Sequence, residues 1–160
     1  MKKIIILTVI VILCFFLCVN VFSLELINAA WNGDLVKVNN LLKAGKNVNT
    51  RDNYGWTPLM YAVSFGNGKR SVPESTYIQI AQLLLSKGAD IHVIGNKVNA
   101  FTLAAKFGNS FMLRTLANKG ANINISYPQV NYSAIMWAAY RGNYKAMETL
   151  ISLGASVKGK

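Results

Sequence analysis

A short pattern, two small residues followed three places later by glycine, recurs four times along this chain. It reads Ala29-Ala30-Trp31-Asn32-Gly33, Ala62-Val63-Ser64-Phe65-Gly66, Ala104-Ala105-Lys106-Phe107-Gly108 and Ala138-Ala139-Tyr140-Arg141-Gly142. The glycines are 33, 42 and 34 residues apart. A second glycine follows each, at Gly45, Gly88, Gly120 and Gly154. Removing the ten-residue insertion Asn67–Thr76 from the second unit leaves a period of about 33 throughout, and a period of that size means an array of supersecondary units stacked in a row.

Each unit has the same physical grammar. An apolar stripe at helical spacing comes first: Leu26/Ala29/Ala30, Leu59/Ala62/Val63, Phe101/Ala104/Ala105 and Ile135/Ala138/Ala139. Alanines let a neighbouring helix approach closely, and glycine supplies the left-handed conformation that ends the segment. Asp34, Asn67, Asn109 and Asn143 come next, suited to cap a following helix. The second stripe is Leu35/Val38/Leu41/Leu42, Ile78/Ala81/Leu84/Leu85, Leu113/Leu116/Ala117 and Met147/Leu150/Ile151. The second glycine closes it, and Val48, Ile91, Ile123 or Val157 leads the chain into an extended turn. One unit cannot bury both stripes alone, whereas stacking buries them.

The chain therefore resembles the ankyrin-repeat family, whose units are a β-turn plus two antiparallel helices with the signature Thr-Pro-Leu-His-x-Ala. Its best match is Asp52-x-x-Gly55-x-Thr57-Pro58-Leu59-Met60-x-Ala62. Thr57 is placed to cap, Pro58 to occupy the first turn and Leu59 to begin the buried face. Ser133-Ala134-Ile135 and Asn99-Ala100-Phe101 are softer versions. The resemblance covers residues 24–157 and implies an all-α repeat solenoid. Four helix–turn–helix repeats, at about 24–51, 52–94, 95–127 and 128–160, are joined by β-turn loops. The signature histidine is replaced by Ile27, Met60, Thr102 and Met136. Its turn-to-helix hydrogen bonds are expected to be missing, leaving stability to apolar packing. Unit 4 lacks a clearly polar outer face, where Tyr144, Met147 and Ile151 are candidates for exposure.

The first 23 residues, MKKIIILTVIVILCFFLCVNVFS, have the tripartite form of a secretory signal, with Val21 and Ser23 before a cleavage point at Leu24. The apolar stretch Ile4–Val19 is 16 residues, short of the roughly 20 that span a bilayer. The expected localisation is periplasmic or secreted. The alternative is an uncleaved single-pass anchor that leaves the repeats outside the cytoplasm. Cys14 and Cys18 are the only cysteines, so the mature chain has neither disulfides nor thiol chemistry.

The resemblance also places the contact positions, at the turn tips and the two residues before each first glycine. Here these give Trp31 and Asn32; Asn53, Tyr54, Trp56, Ser64 and Phe65; Asn96, Val98, Lys106 and Phe107; and Gln129, Tyr132, Tyr140 and Arg141. Trp, Tyr and Arg carry most binding energy at interfaces. The expected partner-binding set is Trp31, Tyr54, Trp56, Phe65, Lys106, Phe107, Tyr132, Tyr140 and Arg141. The plainer alternative is that some of these rings, Phe65 and Phe107 particularly, only pack against adjacent turns. Lys106 and Arg141 are suited either to acidic groups on a peptide or to cation–π contacts within the face.

Catalytic, cofactor and metal chemistry is not expected. His92 is the only histidine and lies where Asn49 and Asn124 stand in other units, a turn position. The six carboxylates form no pair motif, and no Gly-rich phosphate loop is present. The insertion reads either as a solvated loop tipped by Lys69-Arg70 or, through Ser71-x-x-Glu74, as a capping box for a longer helix. Without Lys2 and Lys3 the remaining chain has 15 Lys+Arg against 6 Asp+Glu, a formal +9, which favours acidic partners or anionic surfaces. The plainer alternative is a solubilising surface of scattered lysines. The expected activity is that of an exported, non-catalytic scaffold binding a protein or peptide, with nucleic acid not expected. The alternative is a basic domain held at an envelope surface by charge or by its N-terminal segment.

Overall fold

The alternation of stripe, glycine and capping residue folds as eight helices among the described residues. A computed structural model describes residues 24–65, 71–126 and 132–157. The signal or anchor segment, Gly66, Asn67, the Lys69-Arg70 tip and Gln129 lie outside them. In order the helices are α1 (Glu25–Asn32), α2 (Leu35–Lys43), α3 (Pro58–Val63), α4 (Glu74–Ser86), α5 (Ala100–Phe107), α6 (Ser110–Asn118), α7 (Ala134–Tyr140) and α8 (Tyr144–Ser152). Each odd-numbered helix packs on the helix that follows it. The odd helices α1, α3, α5 and α7 also pack on one another in sequence, forming an inner row, while α2 meets α4 and α6 meets α8 behind it.

Alanine makes this spacing possible. Ala30, Ala62, Ala104, Ala105 and Ala138 are completely buried, with Leu59, Ile80, Leu84, Phe101, Leu103, Leu113, Leu116 and Leu150 filling the space between the rows. Burying each large apolar side chain contributes about 1.5–3 kcal/mol. Ala139 departs from the expected stripe and is exposed.

The helix ends follow the sequence grammar with informative exceptions. Gly33 and Gly108 end α1 and α5 in the left-handed conformation, with φ of 73° and 79°. In unit 2 Phe65 takes the left-handed φ, at 49°. Asp34, Thr57, Asn99, Asn109 and Ser133 each accept a backbone N–H at a helix start. Asn143 instead turns its amide the other way, donating to the Ala105 and Lys106 carbonyls at 3.3 and 2.6 Å. Asn109 does both, donating to the Val63 carbonyl at 3.4 Å. These asparagines stitch the end of one inner helix to the next unit.

One expectation is corrected, and one of the two readings of the insertion falls away. The signature position does make hydrogen bonds without histidine: Thr102 Oγ1 accepts from the Asn99 N–H at 3.0 Å, and Met60 Sδ accepts from the Thr57 N–H at 3.4 Å. A hydroxyl or thioether on the third residue of the helix reaches back to the N–H of the capping residue. No capping box forms at Ser71-x-x-Glu74, because α4 starts directly after Pro73 and has no side-chain cap. The end of the insertion also packs, since Val72 lies so close to Gly33 that a β-carbon there would stand 2.6 Å from Val72 Cγ1. Tyr77 Oη donates to the Trp31 carbonyl at 3.0 Å.

The turns are tied side to side. Asn49 accepts from the Asp90 N–H at 2.8 Å and donates to the Gly88 carbonyl at 3.2 Å, and Asn124 accepts from the Ser156 N–H at 2.8 Å. His92 is exposed, and in its turn the backbone N–H donates to Asp90 Oδ1. Between units 2 and 3 the backbones of Gly55 and Gly95 lie in contact.

Candidate functional site

The inner row carries two groups of aromatic side chains. The first gathers around Tyr61 on α3, whose ring lies 6.0 Å from that of Trp31 and 5.0 Å from that of Trp56. Asp52 organises the turn beneath it. One carboxylate oxygen accepts the Tyr54 and Trp56 N–H groups, both at 2.8 Å, and the other accepts the Tyr61 hydroxyl at 2.7 Å. Burial first, then the Asp52 carboxylate, push the Tyr61 phenol well above its ordinary ionisation range. Tyr54 projects from the turn tip at 70% exposure.

The second group lies between α5 and α7. Trp137 is ringed by Tyr132 at 5.1 Å and Tyr140 at 6.2 Å, and those two tyrosines are 6.4 Å apart edge to face. Lys106 Nζ sits 4.6 Å from the Trp137 ring centroid and 5.7 Å from that of Phe107, while Arg141 Cζ is 5.9 Å from Phe107. Burial, and secondarily the Arg141 charge, lower the Lys106 pKa. Two adjoining hollows open here. One of about 320 Å³ is lined by Lys106, Phe107, Tyr140, Arg141 and Asn143. The other, of about 510 Å³, is lined by Lys106, Tyr132, Trp137, Tyr140 and Arg141.

Of the nine side chains expected on a binding surface, Trp31, Tyr54, Tyr132, Tyr140 and Arg141 are exposed, and Lys106 is half-buried beside them. Trp56 and Phe107 are half-buried and packed against the core. Phe65 is the correction: it is buried, with its ring edge-on to Tyr77 at 6.4 Å, because the insertion brings Tyr77 over the end of α3. Its neighbour Ser64 and the turn residue Val98 are buried as well. The expected set lacks Tyr61 and Trp137, which are the hubs of the two groups. They occupy the same place in their units, directly before the first alanine of the pattern, with Asn28 and Leu103 as the equivalents. Aligning that column would have found them.

Trp56 and Trp137 each bury an indole N–H that finds no acceptor among the described residues, so ring packing alone orients them. No group of three or more His, Cys, Asp or Glu able to hold a metal stands together among the described residues. None of the described helices is long and apolar enough to cross a membrane.

A solenoid of helical hairpins with an aromatic inner face is a class defined by its repeats. The chain belongs to the ankyrin-repeat family: the model for ankyrin repeats (3 copies) matches residues 70–160, and that for ankyrin repeats (many copies) matches 38–72. It is similar to the ankyrin repeat, SAM and basic leucine zipper domain-containing protein 1 of Dasypus novemcinctus, 28% identical over 132 residues. That match covers 79% of this chain and 25% of the relative. The same protein of Atelerix albiventris is 39% identical over 62 residues, covering 39% of this chain and 11% of the relative. The 2-5A-dependent ribonuclease of Mus musculus is 42% identical over 69 residues, covering 42% of this chain and 8% of the relative. The chain thus spans a quarter or less of each relative's length. Ankyrin repeats are generally protein–protein interaction modules, and the family is generally non-catalytic.

Proposed function

We propose that this chain is an exported, non-catalytic scaffold that captures a protein or peptide through its inner face. The observation that carries the reading is the pair of aromatic groups on the inner row, with Trp31, Tyr54, Tyr132 and Tyr140 open to solvent. Clustered Trp and Tyr give large, rigid contact area at low entropic cost, and soluble monomers rarely leave such patches exposed without a use. Export rests on the Lys2-Lys3 start and the apolar run behind it. The ribonuclease among the relatives matches this chain over 69 residues, 8% of its own length.

The test replaces Tyr54, Tyr132 and Tyr140 with alanine together. Trp56 and Phe107 are left alone because both lean on the core, so their truncation would confuse binding with stability. The triple variant is expected to keep its helical circular dichroism and lose capture of partners from the exported fraction. Unchanged capture would show that the face is wrong.

A second reading, an envelope-surface domain held by charge, is favoured by the excess of 15 Lys+Arg over 6 Asp+Glu from Leu24 onward. Washing membranes with high salt and sequencing the N-terminus separates the cases. Release with a start at Leu24 supports attachment by charge, and an intact Met1 supports an anchor.

A further inference from the structure

We propose that the hollow between α5 and α7 receives an acidic segment of a peptide, its carboxylate between Lys106 and Arg141 and its apolar neighbour against Tyr132, Trp137 and Tyr140. This rests on the inner-face reading and gives it a chemistry.

Charge is the first argument. Lys106 and Arg141 both stand within 6 Å of the Phe107 ring centroid. No side-chain carboxylate reaches either at ion-pair distance, although all six lie among the described residues, and the ion pair recorded there joins Lys46 to Glu25 at 3.9 Å. Half-buried Lys106 and exposed Arg141, lining the same hollows without a counter-charge, repel one another, and an anion arriving between them removes that repulsion.

Preorganisation is the second. Trp137 and Phe107 hold the Lys106 ammonium over their faces, and Phe107 also carries the Arg141 guanidinium. Both long side chains are therefore positioned before a ligand arrives, which lowers the entropic cost of binding. Asn143, which lines the smaller hollow, is fixed by its bonds to the Ala105 and Lys106 carbonyls. That stitch holds the backbone from which Lys106 projects.

Shape is the third. The two hollows share Lys106, Tyr140 and Arg141, so the cationic place opens directly onto the tyrosine and tryptophan rings. An acidic residue flanked by Leu, Phe or Tyr matches that sequence of surfaces. A phosphate chain fits less well, because tracking a nucleic-acid backbone takes a continuous basic groove, and no Lys/Arg run here is longer than Lys69-Arg70.

The experiment selects a displayed random-peptide library on the full chain and, in parallel, on a Lys106→Gln/Arg141→Gln variant. The expected result is enrichment of Asp or Glu beside Leu, Phe or Tyr on the parent chain, absent from the variant at unchanged circular dichroism. Changing the acidic residue of a selected peptide to its amide should weaken binding by about tenfold. Selected peptides with no acidic enrichment, or the same peptides from both chains, would overturn the proposal. If such peptides still fail to bind the Tyr54/Tyr132/Tyr140 alanine variant, the inner-face reading stands alone. Tighter binding of a short oligothymidylate than of any selected peptide would also overturn the proposal, in favour of a phosphate chain.

Discussion

A β-carbon added to Gly95 would run into the Gly55 carbonyl oxygen, and would stand 2.5 Å from its carbon and 3.0 Å from the Trp56 nitrogen. These are backbone atoms that cannot swing aside, so Gly95→Ala is expected to lower unfolding free energy by about 1–3 kcal/mol. Gly45→Ala, which meets nothing within 4 Å but sits at φ 78°, should cost only about 1 kcal/mol. Urea denaturation of the two variants measures the difference. Tyr61 gives a second residue-scale expectation. Its folded pKa lies above the unfolded value because burial and Asp52 oppose ionisation. The stability it contributes is complete below about pH 10 and is lost as pH rises toward the folded value. Tyr61→Phe should lose about 1 kcal/mol at neutral pH, from the missing bond to Asp52, and should flatten the alkaline fall in thermal midpoint. At this scale the sequence was only partly readable. Trp31, Tyr54, Tyr132 and Tyr140, expected at the surface from the repeat pattern and the family resemblance, are exposed. Phe65 is buried edge-on to Tyr77, the first residue after the insertion, a contact between helices that its place in the repeat pattern does not encode.

Elements were more legible, since helix starts and stops are local chemistry. Every inner helix begins where its stripe begins, and the Thr57, Asn99 and Ser133 caps sit where the alignment put them. What the alignment did not carry was the second function of the capping asparagines, which depends on the neighbouring unit being in place. Asn109 is nearly completely buried, caps α6 through Met112 and reaches Val63 across the seam. Asn109→Ala removes a cap and orphans a buried carbonyl, and is expected to cost about 2 kcal/mol. Ser133→Ala breaks one exposed bond of 3.4 Å and should cost less than half of that. Thermal melts of the pair test the ranking. The start of α4 illustrates the limit of motif reading: Ser71 and Glu74 have capping-box spacing, but Pro73 occupies the cap position and holds no side-chain acceptor.

For the whole molecule, period and composition gave the architecture, because stacking is the only way such stripes are buried. Composition also predicts how the fold responds to salt. With 15 Lys+Arg against 6 Asp+Glu in residues 24–160 and one ion pair among the described residues, self-repulsion outweighs specific pairing. Raising sodium chloride from low to physiological strength should therefore raise the thermal midpoint, as screening shortens the reach of that repulsion. A flat or falling midpoint would mean that the lysines are compensated in some other way. At the outer face of unit 4, Tyr144 and Ile151 are 76% and 55% exposed, so Ile151 leaves the expected buried stripe, while Met147 is half-buried against the core. The other end of the array is different. α1 starts without a side-chain cap, yet Val72 rests on Gly33 and the Tyr77 hydroxyl holds the Trp31 carbonyl. The stretch that most disturbs the repeat rhythm thus contributes Val72, and the residue directly after it Tyr77, as a clasp for the hairpin before it. An engineer who spliced it out to regularise the array would loosen the N-terminal hairpin rather than tidy the middle.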